Sequence, residues 1–213
     1  MDTSTVQVFL VDDEPDVLEG LVWLLDSIKV PSRVFTSGEA FLRAVAHAHG
    51  PVCAVLDLRM PGMSGLELQK KLVDLGRDIP LFFLTAHGDV PAAVNAMQMG
   101  AVTFLQKPFN AQEFLDAINR ILRQAADDYA DRQRKAQFRQ RLARLSAREI
   151  EILEAITKGF TSKEIARIYA ISPKTVDVHR ANVLRKMDVA NAAELQRLVS
   201  DFGVPSGTKK AGP

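Results

Sequence analysis

At 213 residues the chain suits one large domain or two small ones, and its near-neutral total of +1 conceals an acidic half and a basic half. Residues 1–118 carry fifteen Asp and Glu against eight Lys and Arg, a net of −7, while residues 119–213 carry eleven against nineteen, a net of +8. A basic unit of that size is a candidate for nucleic acid and an acidic one can hold a cation. The single cysteine, Cys53, excludes an internal disulfide and any CxxC site, and fits a reducing compartment. No stretch approaches eighteen uninterrupted apolar residues, and "MDTSTVQ" lacks a basic, hydrophobic leader. The expectation is a soluble, cytoplasmic protein with no membrane partner.

In chain order, short β-rich apolar runs fall at residues 6–11, 33–36, 52–56, 80–85 and 101–105, separated by segments of helical periodicity. Leu18, Leu21, Val22 and Leu25 follow the i, i+3, i+4, i+7 pattern, as do Phe114, Ala117, Ile118 and Ile121. Five β/α alternations predict a parallel five-stranded sheet covered by helices on both faces, an α/β fold of the (βα)5, flavodoxin-like kind. Beyond residue 115 the helical pattern continues into "RQAADDYADRQRKAQFRQRLARL", which has neither Pro nor Gly and no sustained heptad. That segment reads as a helical linker over residues 123–144, and its cations read as a solvated face rather than a DNA contact. The expected organisation is a first domain over 1–122, the linker, an all-α second domain over 145–203, and a disordered tail over 204–213.

The stretch "AVLDLRMPGMSG" places Asp57 at the end of an apolar run, and "VFLVDDEP" places Asp12 and Asp13 at the end of another. In a parallel sheet, ligands gather at the carboxyl ends of the strands. Thr85 in "FFLTAHGDV" and Lys107 in "FLQKPF" would share that edge. Three carboxylates in one crevice repel one another and call for a cation. Oxygen donors few in number suit Mg²⁺, which bridges carboxylates to a phosphoryl group. With that charge offset, Asp57 can act as a carboxylate nucleophile toward phosphorus, with Lys107 and Thr85 meeting the developing charge.

This set of residues resembles the receiver domain of bacterial two-component response regulators. The resemblance implies that Asp57 is the phosphoacceptor, that Asp12, Asp13, Asp57 and the backbone carbonyl of Arg59 hold Mg²⁺, that Lys107 contacts the phosphoryl group, and that Thr85 and Phe104 form a switch pair. The region "TAHGDVPAAVNAMQMGAVTFLQKPF" is similar in particular to the FixJ-type branch, in which phosphorylation draws the Thr toward the phosphoryl group, turns the aromatic inward and favours dimers. The implied dimer face includes residues near 90–94 and Lys107, while Arg59 and His87 stand where receivers tune dephosphorylation.

In the basic half, "LSAREIEILEAITKGFTSKEIARIYAISPKTVDVHRANVLRKM" supplies three helices broken at Gly159-Phe160 and Ile171-Ser172. Ser146, Thr161 and Ser172 are expected N-caps, with Glu149 and Glu164 at capping-box spacing and Pro173 in a first turn. A fourth helix is expected in "NAAELQRLVSDFG". In the third helix, Val176, Val183 and Met187 point one way, and Lys174, Val178, Ala181 and Arg185 the other, with Asn182 beside them. Such a face fits a major groove. The segment resembles the LuxR-type helix-turn-helix, which implies that Lys174 and Thr175 hold phosphates while Asp177, Val178 and Ala181 lie nearest the base edges. Asp177 departs from a basic reader: it repels phosphates but accepts from a cytosine amino group.

Several features take plainer readings. Cys53 reads as a small buried hydrophobe and His179 as a packing residue, and His47 and His49 lack a third metal ligand. An aspartyl phosphohydrolase would place a second acid two residues after its nucleophile, where this chain has Arg59, so the chain is not expected to be an enzyme. A flavodoxin-like cofactor binder would need a phosphate loop where "DDEP" stands. The combined expectation is a phosphorylation-controlled, sequence-specific transcriptional regulator, an activator by family tendency. Its expected partners are a sensor histidine kinase, double-stranded promoter DNA, a second copy of itself on phosphorylation, and RNA polymerase.

Overall fold

The computed structural model describes residues 6–85 and 90–203, so the expected tail and His87 lie outside the described residues. The chain divides into two compact units, Met1–Asp131 and Arg132–Pro213. In the first, β1 (Gln7–Val11), β2 (Ser32–Phe35), β3 (Val52–Asp57), β4 (Leu81–Thr85) and β5 (Thr103–Gln106) form one parallel sheet in the order β2-β1-β3-β4-β5. Helices α1 (Pro15–Ser27), α2 (Gly38–Ala46), α3 (Gly65–Asp74), α4 (Val90–Gln98) and α5 (Ala111–Leu142) connect or follow the strands. The flavodoxin-like fold expected from the alternating pattern is therefore present.

Alternation along each strand sends side chains to opposite faces. Val8, Leu10, Val55, Phe82 and Leu84 pack with α1 and the start of α5, where Phe114, Ile118 and Ile121 are buried. Phe9, Val11, Ala54, Leu56 and Phe83 pack with α2, α3 and α4 through Phe41, Leu68, Leu72 and Ala96. Cys53 lies in the first of these cores as a small hydrophobe, and burial pushes its thiol up to about 12.

Strand bounds differ from expectation in instructive places. The apolar run of β3 ends at Leu56, yet the ladder continues through Asp57, paired with Leu84, because backbone pairing does not require an apolar side chain. β2 begins at Ser32 and exposes Arg33 and Val34, as an edge strand can. β5 starts at Thr103 rather than 101 because Ala101 and Val102 still belong to the connection out of α4, where the Val102 N–H donates to the Leu81 carbonyl.

The second unit holds α6 (Ala147–Thr157), α7 (Ser162–Ile168), α8 (Pro173–Met187) and α9 (Ala192–Phe202) around Ile152, Leu153, Ile156, Ile165, Val176, Val183, Met187 and Leu195. Ser146 and Thr161 close capping boxes with Glu149 and Glu164, and Ser172 caps α8 ahead of Pro173, as the spacing predicted. Helix α5 runs without a break through the stretch that the sequence reads as linker, and its last turns join this second core. Phe138 is buried there with its ring 5.3 Å from that of Phe202. Among the described residues no helix is long and apolar enough to cross a membrane.

One glycine fixes how α3 meets the end of β3. The Gly65 N–H donates to the Leu58 carbonyl, and a Cβ at this position would stand 2.5 Å from the Asp57 carbonyl oxygen and 2.9 Å from the Phe83 ring. Both neighbours are core backbone or a fully buried ring, so neither can yield cheaply. Gly65→Ala is expected to destabilise the first unit by roughly 1–3 kcal/mol. Urea unfolding followed at Trp23, which lies in that unit, measures this; an unchanged midpoint would refute the close-approach argument.

Candidate functional site

The register of the parallel strands sets the site. Val11 pairs with Leu56, Asp57 with Leu84 and Thr85 with Gln106, so the strand ends fall along one edge of the sheet. Asp12 follows β1, Asp57 closes β3, Thr85 closes β4 and Lys107 follows β5, its N–H donating to the Thr85 carbonyl. The order β2-β1-β3 reverses direction at β1, making the crevice beside it a topological switch point.

Asp12 is 1% exposed and Asp57 6% exposed. The Lys107 ammonium lies between them, 2.8 Å from Asp12 Oδ2 and 2.9 Å from Asp57 Oδ1. The other carboxylate oxygens take backbone donors: Glu14 N–H to Asp12 Oδ1 at 3.0 Å and Arg59 N–H to Asp57 Oδ2 at 2.8 Å. Burial raises the Asp57 pKa above its ordinary value, opposed by the hydrogen bond and charge of Lys107. For Lys107, burial pulls downward, but its hydrogen bonds to Asp12 and Asp57 outweigh that and leave its pKa raised. The resulting group is a buried carboxylate with a permanent cation against one oxygen.

Asp13 is half-buried next to this pair, and its carboxylate has no hydrogen-bond or ion-pair partner among the described residues. No three His, Cys, Asp or Glu side chains among the described residues stand close enough to enclose a metal by themselves. An all-oxygen set with one uncompensated carboxylate suits a hard divalent ion such as Mg²⁺, which keeps several waters and needs few protein ligands. Thr85 is buried at the same edge, whereas Phe104 on β5 is 39% exposed, so its ring is not a core residue here.

In the second unit, Val176, Val183 and Met187 are buried, which turns the opposite side of α8 outward. Lys174, Thr175, Asp177, Val178, Ala181 and Arg185 are exposed and Asn182 is half-buried. The face drawn from the sequence at 100° per residue is therefore the solvent face of α8. Val178, at 56% exposure, is an apolar residue that the fold does not use. The Thr175 hydroxyl pairs with that of Ser172 at 2.8 Å, and the Asn182 side-chain oxygen accepts from Arg185 at 3.1 Å. His179, half-buried, lies toward the packed side.

An α/β unit with this crevice, joined to an exposed-helix unit, defines a class. Residues 8–119 match the response regulator receiver domain, and residues 143–199 match the luxR family of bacterial regulatory proteins. The chain belongs to the two-component response regulators with a luxR-family DNA-binding domain, and it is a phosphorylation-dependent DNA-binding transcriptional regulator. It is 42% identical over 196 residues to the transcriptional regulatory protein TdiR of Thauera aromatica, covering 90% of this chain and 84% of that one. It is 41% identical over 202 residues to FixJ of Azorhizobium caulinodans, covering 94% and 95%. The solved structure of the response regulator StyR is similar at a TM-score of 0.83 and 41% identity, over 92% of this chain and 99% of that one.

Sequence reasoning placed a role on the Arg59 carbonyl but did not find its N–H donor to Asp57, because a backbone donor leaves no side-chain signal. It also missed what Glu149 does besides capping α6. Glu149 is 5% exposed, and its Oε2 accepts from Lys186 Nζ on α8 and from the Ser146 N–H, each at 2.7 Å. The Lys186 hydrogen bond and the Ser146 amide hold its carboxyl down at about 2, against an ordinary 4.5. A depressed acid stabilises the fold above its unfolded-state pKa and loses that contribution as pH falls through the folded value. Protection of α6 and α8 amides from hydrogen exchange should therefore weaken between about pH 4.5 and 2. Glu149→Gln should lower that protection at pH 7 by about 1–3 kcal/mol and flatten its acid dependence. The same acid slope in the variant would assign it to other groups.

Proposed function

We propose that Asp57 is the phosphoryl acceptor, taking its group from the phosphohistidine of a sensor histidine kinase. Asp57 Oδ1 attacks phosphorus and a P–O bond forms. The P–N bond breaks, and its electron pair leaves with the imidazole. The observation that carries this reading is the buried Asp57 carboxylate with the Lys107 ammonium at 2.9 Å. That contact favours the ionised, nucleophilic form against the pull of burial. Once the acyl phosphate forms, Lys107 can pass from the Asp57 oxygen to the phosphoryl oxygens while keeping Asp12. Asp12, Asp13, Asp57 and the Arg59 carbonyl are the proposed holders of Mg²⁺, which when bound offsets charge on the phosphoryl oxygens. Thr85 and Phe104 are the proposed movers that carry the change to the α4–β5–α5 face and to a homodimer.

On the DNA side, Lys174 and Thr175 are assigned to phosphates, and Asp177, Val178 and Ala181 to base edges, with Asn182 and Arg185 alongside. The exposed face of α8 supports this assignment. Two copies brought together on phosphorylation would bind two half-sites with a large gain in effective concentration. Activation through RNA polymerase, and action in the cytoplasm, complete the reading. The position two residues after Asp57 is Arg59, not an acid, so the chain is proposed to have no turnover on small phosphoesters.

The test is an intact-mass spectrum after incubation with acetyl phosphate and Mg²⁺, for the native chain and for Asp57→Asn, with a DNA titration on the same samples. One added phosphoryl group on the native chain alone, with tighter DNA binding, is the expected result. Phosphorylation of both proteins, or of neither, would remove Asp57 from its role.

A further inference from the structure

The second unit contains a basic cleft that adjoins the base-reading face assigned above and shares Arg185 with it. It has a volume of about 340 Å³ and is lined by Gln137, Gln140, Arg141, Arg144, Arg185, Lys186 and Asp188. A water's share of liquid volume is roughly 30 Å³, so this space is large enough for a substantial polar group. Three of its lining residues come from α5 and a fourth, Arg144, from just beyond it; the others come from the end of α8 and its cap.

The charges in the cleft are not all balanced. Arg141 donates to the Met187 carbonyl at 3.1 Å and to Asp188 Oδ2 at 2.8 Å, so that pair is neutral and fixed. Lys186 is neutralised by the buried Glu149. Arg185 has only the neutral Asn182 oxygen, and the exposed Arg144 guanidinium has no partner among the described residues. Two guanidinium charges are thus uncompensated, and the amides of Gln137 and Gln140 add neutral donors beside them. A guanidinium fork matches the paired oxygens of a phosphate. Asp188, the one acid in the lining, is already occupied.

We infer that this cleft takes a backbone phosphate of the duplex flanking the site read by α8, so that the end of α5 is part of the DNA-binding surface. The inference rests on α8 being the DNA-reading helix, since Arg185 belongs to both surfaces. It revises the sequence-based view that the cations of this segment are only a solvated face. The buried Phe138 and Leu145 explain how these cations come to be held: they anchor the chain on either side of Arg141 in the core of the second unit.

The experiment uses the full chain, an operator selected from a random duplex pool with the native protein, and an unrelated 30-base-pair duplex of about the same composition. Binding is measured across a salt series. A phosphate contact contributes about 0.9 to the slope of log K against log salt and carries no sequence preference. Arg144→Ala should lower the slope by about 1 and weaken both duplexes by a similar factor, with Arg144→Lys restoring most of it. Circular dichroism should show native helix content, because Arg144 is exposed and unpartnered. An unchanged slope for Arg144→Ala would overturn the cleft assignment. Val178→Asp on α8 keeps the two readings apart. If it abolishes operator preference while Arg144→Ala changes nothing, only the cleft fails; if it leaves operator preference intact, the reading of α8 fails.

Discussion

The receiver unit depends on one ion-pair arrangement: a single ammonium, that of Lys107, held within 3.0 Å of two buried carboxylates that stand at the ends of different strands. Burial raises the Asp57 pKa, and the hydrogen bond and charge of Lys107 oppose that rise. The pair is also a linkage between chain segments far apart in sequence, because β1, β3 and the end of β5 must all be in register for the three groups to meet. Acid chemistry and sheet topology are therefore one constraint here. The close approach of Gly65 to the Asp57 carbonyl adds to it by fixing where α3 starts.

Helix α5 serves two cores with two different sets of residues. Phe114, Ile118, Ile121, Leu122 and Ala125 bury in the first unit, and Phe138 with Leu142 packs in the second. Between them the helix has no large buried residue. Ala, Arg, Lys and Gln prevail there and Pro and Gly are absent, so the helix crosses that stretch without a breaker. Its hydrophilic middle is consistent with a helix stabilised by packing at its ends.

Much of the sheet and of the acidic site was legible because both rest on short-range pattern. Apolar runs of strand length, each followed by a polar residue, mark strand ends, and a parallel sheet gathers those ends at one edge. The caps of α6, α7 and α8 were legible for the same reason, being three-residue signals. The Glu149–Lys186 pair, 37 residues apart, and the Arg141–Asp188 pair, 47 apart, were not. Nothing local distinguishes those cations from their solvated neighbours. Phe138 was illegible in another way: a lone aromatic among charges has no periodic companions to announce its burial.

The state of Phe104 bears on how the proposed switch can work. Its ring is 39% exposed while Thr85, one strand over, is buried. Fully burying a phenylalanine is favourable by roughly 1.5–3 kcal/mol, so turning this partly exposed ring inward would recover about 1 kcal/mol. That is at the low end of a typical allosteric coupling, roughly 1–3 kcal/mol. On the proposed reading the aromatic does not drive the transition. It makes the inward state cheap enough for Thr85 to follow the phosphoryl group.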